Sequence, residues 1–235
     1  MERRRKLAPF MLISILSRRQ VLSRKRCVRR VRTELAADES ESSTANVMKR
    51  KSCPYGPTND YVLSSPIGRL AVKSCPHGLH SLHQLDDEAL FSPDPSIEVK
   101  LLSQEFEDNG YTYQPVLSCL SWLDAYFKSP CQEQRPLPAI CGPTVFPRGS
   151  FWASVWRTLS EKVGPGTTVS YGELARLCNN PRASQAVGSA MRNNPLQLLV
   201  PCHRVVRHDG TLGHYAGGKR DDVKQWLLNH EGICY

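Results

Sequence analysis

Leu198-Leu-Val-Pro-Cys-His-Arg-Val-Val206 is the stretch that decides how this chain is read. An apolar run leads to Pro201, then to Cys202 and His203, then to a second apolar run. Such a segment holds a thiol still and out of bulk water, with a proton acceptor beside it. An unperturbed thiol, with a pKa near 8.5, is only slightly ionised at neutral pH. A nucleophilic role therefore needs a base, and a histidine oriented by a carboxylate is the usual one. Both flanking runs read as strands. Neighbouring residues of a strand face opposite sides, so His203 is expected to act through a water or at a bend. The plain alternative for Cys202 is a buried, inert thiol.

The segments around this stretch are mostly helical in pattern. Phe151–Val163 carries an apolar stripe of Phe151 or Trp152, Val155, Trp156, Leu159 and Val163, ended by Gly164-Pro-Gly166. Ser170-Tyr-Gly-Glu173 has the form of a capping box opening a helix Tyr171–Leu177. Asn180-Pro181 reads as an N-cap followed by proline in the first helical position, with a second helix running to about Arg192. A connection of three or four residues between these two helices is the helix-turn-helix spacing. The second helix is nearly bare: Ala183, Ser184, Ala186, Gly188, Ser189 and Ala190. Gly188 costs it about 1 kcal/mol relative to alanine. A bare helix either lies close against another surface or packs tightly on a neighbouring helix. Arg182 and Arg192, at its ends, suit phosphates. A last amphipathic helix carries Val223, Trp226, Leu227 and His230 and stops at Gly232.

Upstream, Tyr61-Val-Leu and Leu70-Ala-Val read as strands around the turn Ser65-Pro-Ile-Gly68, and Gly78–Leu82 as a third strand. Asp86–Pro95 reads as a loop. Val116–Phe127 has a helical apolar period. Pro130–Pro147 holds five prolines and reads as a linker. The expected organisation is a basic extension with a polar linker over 1–47, an N-terminal α/β domain over 48–140, and a C-terminal domain over 141–235.

Charge separates the same regions. Residues 1–33 hold 12 Lys/Arg and one acid, leaving 19 basic and 21 acidic residues elsewhere, so the net charge of +9 belongs to the arm. Residues 52–150 carry −5 and 151–235 carry +4, so an anionic partner favours the C-terminal third. The arm has no small-residue cleavage site after Leu7–Leu16, which argues against a secretory signal. Arg-rich and acid-poor, it fits a mitochondrial presequence, nuclear import or a nucleic-acid-binding arm, or a tail with no address. Met48 offers an alternative start. No apolar run approaches the roughly 20 residues of a membrane helix, so no membrane is expected. Nine scattered cysteines, an odd number, suit free thiols in a reducing compartment.

Pro201-Cys-His-Arg-Val205, with Asn194-Pro195 before it, Tyr215-Ala-Gly-Gly218 after it and Trp226–Gly232 at the end, resembles the O6-alkylguanine-DNA alkyltransferases of animal type. The resemblance is strong from Phe151 to Gly232 and traceable from Cys53 to Phe146, through Ser65–Gly68, Cys75–His80 and Trp122–Phe127. It implies an α/β fold: an N-terminal α/β domain with a small antiparallel, ribonuclease H-like sheet, and a mostly helical C-terminal domain with a helix-turn-helix and a short sheet beside the active site. It also implies a monomer that acts on double-stranded DNA containing O6-alkylguanine, rotates the damaged base into a pocket, and passes the alkyl group irreversibly to Cys202. O4-alkylthymine is the implied second substrate.

By matching position, Glu231 would orient His203, His203 would deprotonate Cys202 through a water, Asn194 would buttress the turn before Cys202, and Tyr171 would crowd the target phosphate and donate to the guanine ring. The carbonyls of Cys202 and Val205 would accept from the guanine amine. The Ala216 amide would face O6, on a loop made mobile by Gly213, Gly217 and Gly218. Trp152, Gly172, Asn180, Gln185, His208, Tyr215 and Gly217 complete the implied substrate and DNA contacts. Gln185 departs from the pattern, because the family has an arginine there. The resemblance also implies a structural zinc ion held by Cys53, Cys75, His80 and Cys141, a cysteine replacing the family's last histidine, with His77 as a rival ligand. The expected address is the nucleus, with the mitochondrion as alternative. A Cys-His hydrolase, or a non-catalytic helix-turn-helix protein, would share parts of these patterns.

Overall fold

A computed structural model describes residues 53–85, 92–105, 112–131 and 136–235. The basic arm, the polar linker and most of the Asp86–Pro95 loop lie outside the described residues.

Strands β1 (Asn59–Ser64), β2 (Leu70–Cys75) and β3 (Gly78–Gln84) form an antiparallel meander. Alternation buries Tyr61, Leu63, Leu70 and Val72 on the inner face. A fourth strand, β4 (Lys100–Gln104), pairs antiparallel with β1, giving the order β3-β2-β1-β4. The reading of the sequence had no strand there. β4 is mostly exposed, so Lys100-Leu-Leu-Ser-Gln104 carries little alternation. Helix α1 (Gln114–Lys128) packs on β2 and β3 through Val116, Cys119 and Leu123.

The proline-rich stretch is less of a linker than expected. It includes a short helix, α2 (Gly142–Val145), and its backbone pairs with β3 at Leu79. Leu79 N donates to Ala139 O and Cys141 N donates to Leu79 O, both at 2.9 Å. A Cβ on Gly78 would stand 2.5 Å from Cys141 N. Only glycine there lets the strand carrying Cys141 come so close.

Helix α3 (Phe151–Lys162) is capped by Ser150, whose Oγ accepts from Ala153 N at 3.3 Å. Its stripe runs through half-buried Phe151 and buried Val155, Trp156 and Leu159, whereas Trp152 is exposed. Helix α4 (Tyr171–Leu177) has the expected capping box: Ser170 Oγ accepts from Glu173 N at 3.2 Å, and Glu173 Oε2 from Ser170 N at 2.8 Å. Helix α5 (Ser184–Arg192) starts later than expected. Ala183 is its N-cap, with no side-chain cap, so Asn180 and Pro181 lie in the connection. That connection spans residues 178–183, longer than three or four. Asn179 turns the chain in the left-handed region at φ 56°, and Asn180 N donates back to Ala175 O at 2.9 Å, which prolongs the turn. The inner side of α5 packs tightly: Val187 and Ala190 are buried, and Trp156 Nε1 donates to Ala190 O at 2.8 Å.

The opening stretch is not strand on both sides. Leu198 takes φ 70°, and Cys202–Arg204 form a single 3-10 turn before β6 (Val205–Val206), which pairs parallel with β5 (Val169–Ser170). Proline at 201 disfavours strand pairing, and the bend it begins carries Cys202 and His203 away from the alternation of a strand. Helix α6 (Asp221–His230) packs on that turn, with Asp221 and Asp222 complementing its N-terminus.

The two segments expected as separate domains share a core. Leu82 N donates to Pro195 O at 2.8 Å and Gln197 N to Leu82 O at 2.9 Å, so the chain leading to Cys202 runs along the end of β3. Residues 48–235 group as one compact unit. Among the described residues no helix is long and apolar enough to cross a membrane.

Candidate active site and metal cluster

Cys202 is buried at the floor of a cavity of about 880 Å³. The turn that holds it is braced by Asn194. Asn194 Nδ2 donates to Val200 O at 2.8 Å and to Cys202 Sγ at 3.2 Å, and its Oδ1 accepts from Leu196 N at 2.9 Å. The Tyr215 side chain hydrogen-bonds the same sulfur. Burial pushes the thiol above its ordinary pKa, against the pull of Asn194, Lys224 and Tyr215. The resting group is therefore a thiol aimed into a cavity, surrounded by donors that favour its anion.

His203 is fully buried and points the other way. Its Nε2 meets Glu231 Oε1 at 2.8 Å, and its Nδ1 is buried without a partner. It makes no direct hydrogen bond to Cys202 among the described residues. Burial lowers its pKa, opposed by Glu231, so the imidazole is neutral at pH 7 and able to accept a proton. Glu231 is the hub of a buried network. Its Oε1 also accepts from Tyr126 Oη at 2.7 Å and from Arg204 Nη2 at 2.9 Å, and its Oε2 from Arg204 Nε at 2.9 Å. Arg204 Nη1 donates to Val163 O at 2.7 Å. Burial alone would raise the Glu231 carboxyl, but the hydrogen bonds and charges of His203 and Arg204 hold it far below the usual range.

Tyr171, at the first position of α4, lines the cavity with Gly188 of the bare helix, and a Cβ at Gly188 would stand 4.0 Å from the tyrosine ring. The far wall is the loop Gly213–Gly218. Ala216 sits there at φ 48° between glycines at positive φ, and Asp221 Oδ1 anchors the loop by accepting Tyr215 N at 2.7 Å. The cavity thus brings together Cys202, Asn194, Tyr171, Tyr215, Ala216 and Gly217. Trp152, Gly172, Asn180, Gln185, Val205 and His208 do not line it. Val205 is buried beside it, while Trp152, Asn180, Gln185 and His208 are exposed and Gly172 half-buried. The carbonyls of Cys202 and Val205 already hold one donor each, Val205 N and Lys224 Nζ. A second lone pair remains on each.

Lys224 escaped the reading of the sequence. It is 1% exposed, and its Nζ donates to Val205 O at 2.7 Å and to Leu212 O. Burial brings its pKa down to about 8, opposed by Cys202 and Asp221, so it remains a cation at neutral pH next to the thiol. The sequence does hold a signal. Lys224 lies three and four residues before Leu227 and Leu228, on the apolar stripe of α6, where a solvated lysine would not be placed. Arg204 was within the quoted stretch and Tyr126 within a helical stripe, and neither pattern announces a bond to Glu231.

A second constellation lies at the sheet end. The ligand atoms of Cys53, Cys75, His80 and Cys141 all fall within 4.8 Å of one another. Cys53 Sγ and Cys141 Sγ are 3.8 Å apart, and His80 Nε2 is buried without a hydrogen-bond partner. Four ligands about 2.0–2.3 Å from a tetrahedral ion would lie roughly 3.3–3.8 Å from one another, so the 3.8 Å Cys53–Cys141 separation fits and the cluster as a whole is slightly looser. His77, the rival ligand, is exposed and stacks on Tyr55 at 4.5 Å instead.

Residues 150–233 match the family described as 6-O-methylguanine DNA methyltransferase, DNA binding domain. The methylated-DNA–protein-cysteine methyltransferase of Mus musculus is 44% identical over 173 residues, 73% of this chain and 80% of the mouse protein. The protein of that name from Homo sapiens is 41% identical over 171 residues, 72% of this chain and 78% of its own length. Among solved structures, the Mycobacterium tuberculosis O6-methylguanine methyltransferase superposes with a TM-score of 0.52 at 30% identity, covering 74% of this chain and 92% of that one. The M. tuberculosis OGT in complex with DNA gives a TM-score of 0.53 at 30% identity.

Proposed function

The chain belongs to the methylated-DNA–protein-cysteine methyltransferase family, and from that premise we propose that Cys202 is the sulfur that accepts the alkyl group. The protein repairs DNA directly, moving an alkyl group from O6 of guanine to a cysteine. We extend the substrate to O4 of thymine, which presents the same alkoxy carbon beside a ring nitrogen. The observation that carries the assignment is the pairing of a buried thiol with a neutral, Glu231-anchored His203 whose Nδ1 has no partner.

In the proposed step, Nδ1 of His203 takes the Cys202 proton through a water, and Lys224, Asn194 and Tyr215 stabilise the thiolate. The damaged base is extruded at a cost of a few kcal/mol. Sulfur attacks the alkyl carbon, the carbon–oxygen bond breaks, and guanine leaves. The Tyr171 hydroxyl donates to the ring nitrogen, so guanine departs with less negative charge. The proton held by His203 restores the tyrosine, and the thiol hydrogen ends on guanine. The product thioether is uncharged and has no good leaving group, so each molecule acts once. Intact-mass measurement after mixing with O6-methylguanine duplex tests this. One methyl shift, absent in Cys202→Ala, is expected. Turnover beyond one equivalent would refute it.

The DNA-facing surface is assigned to α4, the longer-than-usual turn and α5. Exposed Trp152, Asn180, Gln185 and His208, with Gly172, lie on accessible surface, and the small residues of α5 let a minor groove come close. Arg182 and Arg192 suit its phosphates.

The cluster Cys53, Cys75, His80 and Cys141 fits a zinc ion in a Cys₃His set. Zinc there would tie the chain at Cys53 to the β2–β3 hairpin and to the segment before α2, a structural role. The net charge of +11 over residues 1–33 supports a nuclear address, with a mitochondrial one as alternative. Imaging tagged chains with and without residues 1–47 separates them.

A further inference from the structure

Two guanidinium groups reach the cavity from different segments, and no carboxylate lines it among the described residues. One is Arg192, the last residue of α5, whose Nη2 donates to Ser189 Oγ at 3.1 Å. The other is Arg207, the residue after β6. Its backbone closes a tight turn: Arg207 N donates to Thr211 O at 2.9 Å and Gly210 N to Arg207 O at 3.0 Å. The carboxylate of that turn is spent on its own backbone and hydroxyl, with Asp209 Oδ1 accepting Thr211 N at 3.0 Å and Thr211 Oγ1 at 2.7 Å. The Arg207 side chain is exposed and has no hydrogen bond or ion pair among the described residues. It lies along Gly213. A Cβ there would stand 3.5 Å from Arg207 Cγ, 3.8 Å from its Nε and 3.8 Å from Tyr171 Oη. Gly213 also holds φ 66°, so the chain keeps open the small space that Arg207 and Tyr171 share. On α5, by contrast, exposed Gln185 offers no charge.

We propose that Arg207 is a positioning residue for the DNA: its guanidinium holds a phosphodiester flanking the extruded nucleotide, beside the Tyr171 hydroxyl, and together with Arg192 supplies at the cavity mouth the charge that Gln185 does not supply on α5. The inference rests on the DNA-repair reading above. An unpaired guanidinium offers two parallel N–H donors to a phosphate, a fit that a rigid turn improves by holding the stem. The charges of Arg207 and Arg192 also offset part of the burial that raises the Tyr171 hydroxyl's pKa.

Arg207→Ala is expected to weaken binding to damaged and undamaged duplex alike, by roughly three- to tenfold near physiological salt, and to lower the slope of log affinity against log salt by about 0.9. Arg207→Lys should restore the slope, because charge is kept. Replacing the flanking phosphates one at a time by methylphosphonates should reveal one position where the Arg207→Ala effect vanishes. An unchanged salt slope in Arg207→Ala, an Arg207→Lys variant that behaves like Arg207→Ala, or a loss indifferent to every methylphosphonate would overturn the proposal. Failure of the unaltered protein to take one methyl group on Cys202 would instead overturn the repair reading, so the two failures are distinguishable.

Discussion

Glu231 Oε1 stands 2.8 Å from His203 Nε2, both side chains fully buried, and the same carboxylate carries Arg204 on both oxygens. The pairing fixes which imidazole nitrogen is left over. Nε2 is committed to Glu231, so only Nδ1 is available to take a proton. The proposed base and the C-terminal end of α6 thus belong to one buried network.

Glu231→Gln should weaken that network twice. The amide cannot neutralise Arg204, and an unpaired buried charge costs about 3–5 kcal/mol. It also loosens the His203 ring, and a misplacement of about 1 Å can cost up to about 100-fold in rate. Urea unfolding and single-turnover methyl transfer measure the two effects. A variant with unchanged midpoint and rate would contradict the network.

Acid should destabilise the fold through the same pair. Both groups have folded pKa values below their unfolded ones, His203 by burial and Glu231 by its cationic partners against burial. Their stabilisation is fully present above the unfolded values, near 6.5 and 4.5, and is lost as pH falls through the lowered ones. Each group contributes a slope of at most about 1.4 kcal/mol per pH unit where only the unfolded state binds its proton. Unfolding midpoints should fall from pH 7 to 4, and fall less in Glu231→Gln below pH 4.5.

Lys224→Met keeps most of the volume and removes the buried cation. With Lys224 gone, the Cys202 thiol should ionise at higher pH, and its alkylation by iodoacetamide at neutral pH should slow by several-fold. A pH profile of alkylation that does not move would show that Lys224 serves only the carbonyls of Val205 and Leu212.

Purified protein should carry about one zinc per chain, and Cys141→Ala should lose most of it. Elemental analysis decides the point. Full zinc in Cys141→Ala would remove that residue from the ligand set. Gly78→Ala should lower zinc occupancy as well, because its Cβ would displace the backbone at Cys141.

Gln185→Arg should tighten duplex binding and speed methyl transfer, since arginine adds a charge and a planar stacking fork that glutamine lacks. Binding and single-turnover assays on O6-methylguanine duplex test it. An unaltered or lower rate would count against a cost of having glutamine at 185.

Much of the site was legible because its residues sit in short, local patterns. Ser170 and Glu173 declare a cap within four residues, and Pro201-Cys-His-Arg-Val205 declares a constrained thiol and a histidine. The helices α1, α3 and α6 followed from periodic burial. Local pattern misled where a backbone detail intervened. Asn180-Pro181 has the form of a helix start, but Asn179 takes the left-handed region and delays the helix to Ser184. The two apolar runs around Cys202 have the form of strands, but the first bends at Leu198.

By itself, the sequence singled out Cys202 and His203 as a candidate nucleophile and base through their residue types and flanks; Glu231 and the four metal-ligand candidates came only with the family resemblance, because their spacings carry no signature of their own. Only the tertiary structure decided what these residues face. That Tyr126, 105 positions before Glu231, donates to its carboxylate, that Lys224 lies buried against the Cys202 turn, and that Arg207 shares a gap with Tyr171 over Gly213 depend on contacts between segments far apart in the chain. Periodicity records which face of a helix is covered, not what covers it. Charge that is buried or left unpaired becomes visible only when the surfaces around it are assembled.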